Sequence, residues 1–121
     1  MRSVGFLLDE SLPKWWRAAI NHGQPHLRVW RVGDPGAPPL RSPDRSILEC
    51  CETNNFLLLT DNRHTMPQHL AYHVAQGQHI PGIFVVDPGI DINEVANDLS
   101  LIEGASLPDE YQDQVRYLPI T

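Results

Sequence analysis

The chain alternates short apolar runs with longer segments whose apolar residues recur every three or four positions. The runs that predict strands are residues 4–8, 27–32, 56–60, 83–86 and 115–118. The segments that predict helices are residues 12–22, 42–54, 66–76 and 91–103, and Pro108 opens a short helix-like piece that reaches residue 114. Such alternation is typical of parallel strands joined by right-handed crossovers. The sequence therefore predicts one α/β domain over residues 1–121, with three α/β/α layers and a central, mainly parallel sheet of about five strands.

Local residues predict where the first two helices begin. Ser11 is expected to cap the first helix, with Pro13 in its first turn. Ser42 is expected to cap the second helix, followed by Pro43 at the first position and Asp44 at the second. Each helix would then follow a strand in the chain and start at the edge of the sheet where that strand ends.

Composition and charge restrict the class of protein. Hydrophobic residues make up 41% of the 121 residues and charged residues 20%, which predicts a globular protein. No apolar stretch approaches the roughly 20 residues of a membrane span, and the N-terminus does not have the pattern of a signal peptide. Cys50 and Cys51 are adjacent and fit buried, reduced thiols. We therefore expect a cytoplasmic protein without a membrane partner.

The net charge of −6 argues against a protein that binds nucleic acid through a broad basic surface. It does not exclude a nuclease, because clustered acids can hold divalent cations that contact the phosphate.

Acids from three separate parts of the chain are predicted to meet at one edge of the sheet. Asp9 and Glu10 follow the first strand, Asp61 follows the third, and Asp44 begins the helix after the second. Ligands of such sheets bind outside the carboxyl ends of the strands. Oxygen ligands suit Mg²⁺ or Mn²⁺, which activate water for phosphodiester cleavage. For Asp44 alone, a helix-capping role is the more common explanation, and Asp87 fits a simple turn.

Basic residues lie near these acids in the sequence. Lys14, Arg41, Arg45 and Arg63 each lie within five positions of a proposed ligand. We expect Lys14, Arg45 and Arg63 to hold substrate phosphates; the alternative is that these positions are simply exposed.

Other residues allow competing interpretations. His64, His69 and His73 could suggest zinc, but the sequence contains no Cys-x-x-Cys or His-Glu-x-x-His motif. Trp15 and Trp16 could stack on bases, whereas one core tryptophan and one interface tryptophan is the more common outcome.

Three segments, in this order and spacing, resemble the small PIN-like proteins of prokaryotes. They are Phe6-Leu7-Leu8-Asp9-Glu10-Ser11-Leu12-Pro13, Ser42-Pro43-Asp44-Arg45-Ser46-Ile47-Leu48 and Leu57-Leu58-Leu59-Thr60-Asp61, and the similarity extends to the closing Tyr117-Leu118-Pro119. The resemblance implies a PIN-like fold and a Mg²⁺- or Mn²⁺-dependent endoribonuclease, often the toxin of a toxin–antitoxin pair. The matching acids are Asp9, Asp44 and Asp61, and Glu10 stands at the second acid of the family's first motif.

The chain departs from this family after the third strand. The family often has Asp-x-Asp-Phe there, whereas this chain has Asp61-Asn62-Arg63-His64. Asn62 or His64 could replace the missing acid, or the site could bind metal weakly.

Three hypotheses follow. The first is a metal-dependent ribonuclease with Asp9, Asp44 and Asp61 as catalytic ligands, Glu10 supporting the metal, RNA as substrate and an antitoxin as partner. The second is a non-catalytic module that binds RNA or protein. The third, a receiver-like signalling domain, is disfavoured because Lys14 is the only lysine and lies early in the chain. A homodimer through Trp15 or Trp16 and the segment 108–114 is also expected to be feasible.

Overall fold

The computed structural model describes residues 4–87, 89–105 and 109–119. The strands are β1 (Gly5–Leu8), β2 (Val29–Arg31), β3 (Phe56–Thr60), β4 (Ile83–Val86) and β5 (Val115–Leu118). The helices are α1 (Trp16–Gly23), α2 (Asp44–Asn54), α3 (Met66–Ala75) and α4 (Ile92–Ala105). No helix among these residues is both long enough and apolar enough to cross a bilayer.

The five strands form one parallel sheet in the order β2-β1-β3-β4-β5. β1 pairs with β3 so that Leu7 lies opposite Leu58 and Leu8 opposite Leu59. The strand order reverses at β1. Strand β2 pairs with one edge of β1, and the chain then crosses to β3, which pairs with the other edge. In a sheet of this order, ligands bind at the carboxyl ends of the strands where the direction reverses, between β1 and β3. The predicted three-layer α/β/α fold is confirmed.

Alternate side chains of the strands supply two separate apolar cores. Phe6, Leu8, Leu57 and Leu59 pack against α1 and α4, on what we call the α1 face. Leu7, Leu58 and Val85, among others, pack against α2 and α3, on the α2 face. Because both faces are covered, the central strands β1, β3 and β4 are fully buried and almost entirely apolar.

The crossover through α4 differs from the others. The connections through α2, α3 and α4 each lead to a strand nearer the β5 edge of the sheet. Helices α2 and α3 cover the α2 face, whereas α4 packs beside α1 on the α1 face. The β4–α4–β5 unit therefore has the opposite hand to β3–α3–β4, so the expectation of uniformly right-handed crossovers is wrong. The apolar stripe of α4, which includes Val95 and Leu99, covers Phe84 and Val86 on that face.

Some predicted helix ends are also wrong. Helix α1 begins at Trp16, because the Ser11 hydroxyl is directed to the Asp9 carboxylate. The Ser42 hydroxyl donates to the Pro39 carbonyl, so Pro43 occupies the cap position and Asp44 is the first residue of α2. The helix-like piece predicted for 108–114 is a series of turns over residues 109–113, and Pro108 lies outside the described residues.

Candidate functional site

Asp9 ends β1 and is held firmly in place. It is 6% exposed, and its backbone N–H donates to the carbonyl of Leu59 on β3 at 2.9 Å. Its Oδ1 accepts the backbone N–H of Glu10 at 2.8 Å. Its Oδ2 accepts the hydroxyl of Thr60 at 2.7 Å and, more weakly, that of Ser11 at 3.4 Å. Both the backbone and the carboxylate of Asp9 are therefore fixed by neighbouring donors.

Thr60 is the residue of β3 that orients Asp9. Its side chain is fully buried, and its hydroxyl also accepts the backbone N–H of Asn62 at 3.0 Å. Since Leu57 and Leu59 face α1 and α4, alternation along β3 directs Thr60 towards the α2 face. The Asp9 carboxylate that it contacts is thus oriented towards the side of the sheet that carries α2 and α3.

Burial raises the pKa of the Asp9 carboxyl above its usual value, and the negative charge of Asp44 raises it further. Hydrogen bonds from Thr60, from the Glu10 backbone and from Ser11 act in the opposite direction, because they stabilise the carboxylate. Two acids from different elements therefore repel one another at the carboxyl end of β1. An arrangement of this kind favours a bound cation, which removes the repulsion.

Asp44 is the first residue of α2, and its carboxylate contacts α3. Its Oδ2 lies 3.1 Å from Nε2 of His69, with the two side chains 26% and 46% exposed. His69 lies in the first turn of α3, so the two residues meet at the start of adjacent helices on the α2 face. From the sequence, His69 was a possible zinc ligand, and its contact with Asp44 was not predicted. The available signal was that both residues lie in the first turns of helices that start at the same edge of the sheet.

Asp61 directly follows β3 and is half-buried. Within the described residues its carboxylate makes no hydrogen bond or ion pair, so the side chain can rotate. Among those residues no three His, Cys, Asp or Glu side chains are arranged to hold a metal ion as they stand. The donor set nevertheless suits a divalent cation, because Oδ1 of Asp9 accepts a single hydrogen bond and keeps a second lone pair, and the Asp9–Asp44 repulsion disfavours the metal-free state. Asp9, Asp44 and Asp61 are the residues that would hold such an ion, and the half-buried carboxylates of Asp44 and Asp61 would have to rotate to do so.

The Glu10 side chain contacts a different part of the chain from the Asp9 carboxylate. Its Oε1 accepts the backbone N–H of Arg41, which has a positive φ of 66°, at 2.7 Å. Glu10 thereby anchors the loop between β2 and α2. Its role as a metal ligand stays a prediction.

Arg31, at the end of β2, was not anticipated from the sequence. Its guanidinium donates to the carbonyls of Glu10, Leu12 and Val32 at 3.1–3.3 Å. These bonds tie β2 to the loop that follows Asp9 and fix the course of that loop.

The predicted phosphate ligands are all exposed. Arg45 forms an ion pair with Glu49 at 3.2 Å along α2, and Lys14 and Arg63 extend from the loops after β1 and β3. All three lie near the carboxyl edge of the sheet, and their contact with phosphate stays a prediction.

The other residues considered in the sequence analysis differ in how far they are buried. Trp16 is 1% exposed in the core, whereas Trp15 is 58% exposed at the start of α1. His73 is buried and lies 2.9 Å from Glu52 of α2.

The Cys51 thiol is buried, and burial raises its pKa well above the usual value, with smaller contributions from Cys50 and Asp9. A thiol in this state is inert, as expected.

The sequence matches no protein-family model, and comparison with curated proteins and with solved structures likewise gives no match.

Proposed function

We propose that the protein is a divalent-metal-dependent endoribonuclease whose site lies at the carboxyl end of β1. The observation that carries this proposal is the juxtaposition of Asp9 and Asp44. Asp9 is buried and its pKa is raised by desolvation and by the charge of Asp44. A buried carboxylate with a raised pKa, beside a second carboxylate at the point where a parallel sheet reverses direction, is typical of a functional site.

The residues have distinct roles in this proposal. Asp9, Asp44 and Asp61 would bind Mg²⁺ or Mn²⁺, and the ion would supply an activated water for attack on a phosphodiester. Thr60 and the backbone N–H of Glu10 hold the Asp9 carboxylate in one orientation. Lys14, Arg45 and Arg63 are exposed at the same edge and would bind flanking phosphates of RNA.

The toxin role is supported by the resemblance to PIN-like proteins alone. A short open reading frame that overlaps the gene of this chain, and that encodes a small protein binding it, is the expected finding. If neighbouring genes encode no such partner, the ribonuclease proposal stands without the toxin role.

Cleavage assays test the enzyme directly. Labelled single-stranded RNA is incubated with the protein and Mg²⁺ or Mn²⁺, and the rate is compared with that of Asp9→Asn and Asp44→Asn. Asp87→Asn is a matched control, because Asp87 directly follows β4, the neighbour of β3, and its contact with the Gly89 N–H is one that asparagine can keep. We expect a loss on the order of 100-fold for the two site variants and no change for the control. Equal cleavage by wild type and Asp9→Asn would overturn the proposal.

A second function, a non-catalytic RNA- or protein-binding module, is favoured by a specific observation. The Asp9 oxygens already accept three hydrogen bonds, and Asp44 is already in contact with His69. A Mn²⁺ titration followed by thermal unfolding separates the two functions. An ion that binds the folded state raises the melting temperature, so an unchanged temperature at millimolar Mn²⁺ supports the binding module.

A further inference from the structure

We propose that Glu10 is a positioning residue of the site, whose carboxylate holds the backbone of Arg41 and thereby keeps Asp44 close to Asp9. This inference rests on the proposed nuclease function. It gives Glu10 a role that depends on the reach of the side chain and on an oxygen acceptor, whereas the role of a metal ligand would depend on its negative charge.

The backbone of Glu10 is fixed directly beside the Asp9 carboxylate. Its N–H donates to Oδ1 of Asp9 at 2.8 Å, and its carbonyl accepts Nη2 of Arg31 at 3.2 Å. The same nitrogen of Arg31 lies 3.3 Å from the carbonyl of Leu12, so the loop on either side of the Glu10 side chain is held as well. The side chain therefore extends from a fixed point next to Asp9 to the loop between β2 and α2.

The backbone of Arg41 has a conformation that needs such a contact. Its φ of 66° lies in the left-handed region, which residues other than glycine adopt at an energetic cost and keep where the surrounding structure imposes it. Oε1 of Glu10 accepts the Arg41 N–H at 2.7 Å across 31 positions of the chain. This bond joins the loop after β1 to the segment that leads into α2.

The segment from Arg41 to Asp44 has little freedom of its own. The N–H and the hydroxyl of Ser42 both donate to the Pro39 carbonyl, at 3.2 and 2.6 Å. Pro43 follows with a φ that its ring fixes, and it occupies the cap position of α2. A constraint applied at Arg41 is therefore carried to the first residue of α2, which is Asp44.

Reach and charge can be separated at Glu10. The backbone N–H that it accepts is neutral, so the amide oxygen of a glutamine, at the same distance from the backbone, can accept the same bond. An aspartate keeps the negative charge but is one methylene shorter and cannot reach Arg41 from a fixed backbone. A positioning role predicts that glutamine replaces Glu10 and aspartate does not, whereas a metal ligand predicts the reverse order.

The test compares wild type, Glu10→Gln and Glu10→Asp in two measurements. The first is kcat and KM for cleavage of labelled single-stranded RNA, and the second is the exchange rate of the Arg41 amide proton in the metal-free protein, followed by nuclear magnetic resonance. Glu10→Asp should lower kcat on the order of tenfold with little change in KM, because Asp44 is misplaced while the phosphate contacts remain. Its Arg41 proton should exchange on the order of tenfold faster. Glu10→Gln should match wild type in both measurements.

Two further variants serve as controls. Glu94→Gln changes an exposed glutamate of α4, on the α1 face, and should leave kcat and the Arg41 exchange rate unchanged. In an Asp44→Asn background, Glu10→Asp should cause no further loss of kcat, because the two changes act on the same carboxylate. Losses that multiply in the double variant would overturn the route through Asp44.

The outcomes separate this inference from the proposed function. Cleavage that is retained in Glu10→Asp and lost in Glu10→Gln overturns the positioning role and leaves the nuclease standing. An Arg41 exchange rate that is the same in wild type and Glu10→Asp also overturns it. A wild-type protein that cleaves no RNA overturns the proposed function itself. Circular dichroism of each variant establishes folding, and Glu10→Asn, which is equally short, replaces Glu10→Asp if the aspartate variant does not fold.

Discussion

The hydroxyl of Thr60 donates a 2.7 Å hydrogen bond to Oδ2 of Asp9 at the junction of β3 and β1, where both residues are buried. The two residues are 51 positions apart in the chain. This bond connects the neighbouring ends of two parallel strands through a carboxylate, so the stability of the sheet and the orientation of a proposed metal ligand depend on the same contact.

Replacing Thr60 by valine removes this hydroxyl with little change in shape. The buried Asp9 carboxylate then loses a donor and the Asn62 N–H loses its acceptor. We expect the free energy of unfolding to fall by about 1–3 kcal/mol, measured by urea denaturation at neutral pH. Thr53→Val, at an exposed position of α2, is the control and should cost less than about 0.5 kcal/mol. Equal losses in the two variants would contradict the role given to Thr60.

Asp9→Asn should gain stability relative to wild type as the pH rises from acid to neutral. The pKa of Asp9 is higher in the folded protein than its ordinary value of 3.8. Between these two values the folded state binds more protons than the unfolded state, so wild-type stability decreases as pH increases through this window. Asparagine does not titrate, so the stability of Asp9→Asn lacks this decrease. Urea denaturation from about pH 3 to pH 7 measures the difference between the two proteins, and a difference that is constant over this range would contradict the prediction.

The adjacent tryptophans should respond in opposite ways to truncation. Trp16 is buried between α1 and the sheet, so Trp16→Ala should cost about 3–5 kcal/mol through the cavity that it leaves. Trp15 is largely exposed, so Trp15→Ala should cost less than about 1 kcal/mol. Thermal unfolding of both variants measures this contrast. If Trp15→Ala also changes the sedimentation coefficient, Trp15 belongs to the expected homodimer interface.

Gly82 should tolerate alanine much less well than Gly77. A Cβ atom at Gly82 would lie 2.7 Å from the backbone oxygen of Tyr111, and the residue has a φ of 149°. Gly77 also has a positive φ, of 81°, but a Cβ there would meet nothing within 4 Å. We expect Gly77→Ala to cost about 1 kcal/mol from backbone strain alone and Gly82→Ala at least about 3 kcal/mol, since a backbone clash is added. Melting temperatures that fall equally would show that the loop containing Tyr111 moves to accept the methyl group.

The central strands β1, β3 and β4 could be predicted from the sequence because burial on both faces leaves nearly unbroken apolar runs. Residues 56–60, 83–86 and 115–118 were predicted with the ends that the structure has. The starts of α1 and α2 could not be predicted, because Ser11 and Ser42 use their hydroxyls for Asp9 and Pro39 rather than for a helix end. A serine before an apolar run can use its hydroxyl at a helix end or for another acceptor, and the sequence alone does not distinguish the two.

The candidate site was predicted in part. The placement of Asp9 and Asp61 after neighbouring strands, and of Asp44 at a helix start, follows from parallel topology and is what the structure has. The pairing of Asp44 with His69 could not be derived, because it depends on the distance between α2 and α3 and on side-chain rotation. The turn of Glu10 towards the Arg41 backbone depends on loop geometry in the same way.

The register of β1 against β3 has a consequence for how the protein acquires its function. Leu8 lies opposite Leu59, and a shift of one residue would turn the Thr60 side chain to the α1 face, away from Asp9. The carboxylate is therefore oriented only after the chain has closed a loop of about fifty residues and the two strands have paired correctly. A chain still being synthesised, or one that has lost this pairing, has all the acids but not their arrangement. Any activity at this site would therefore require the β1–β3 pairing and would be lost with it.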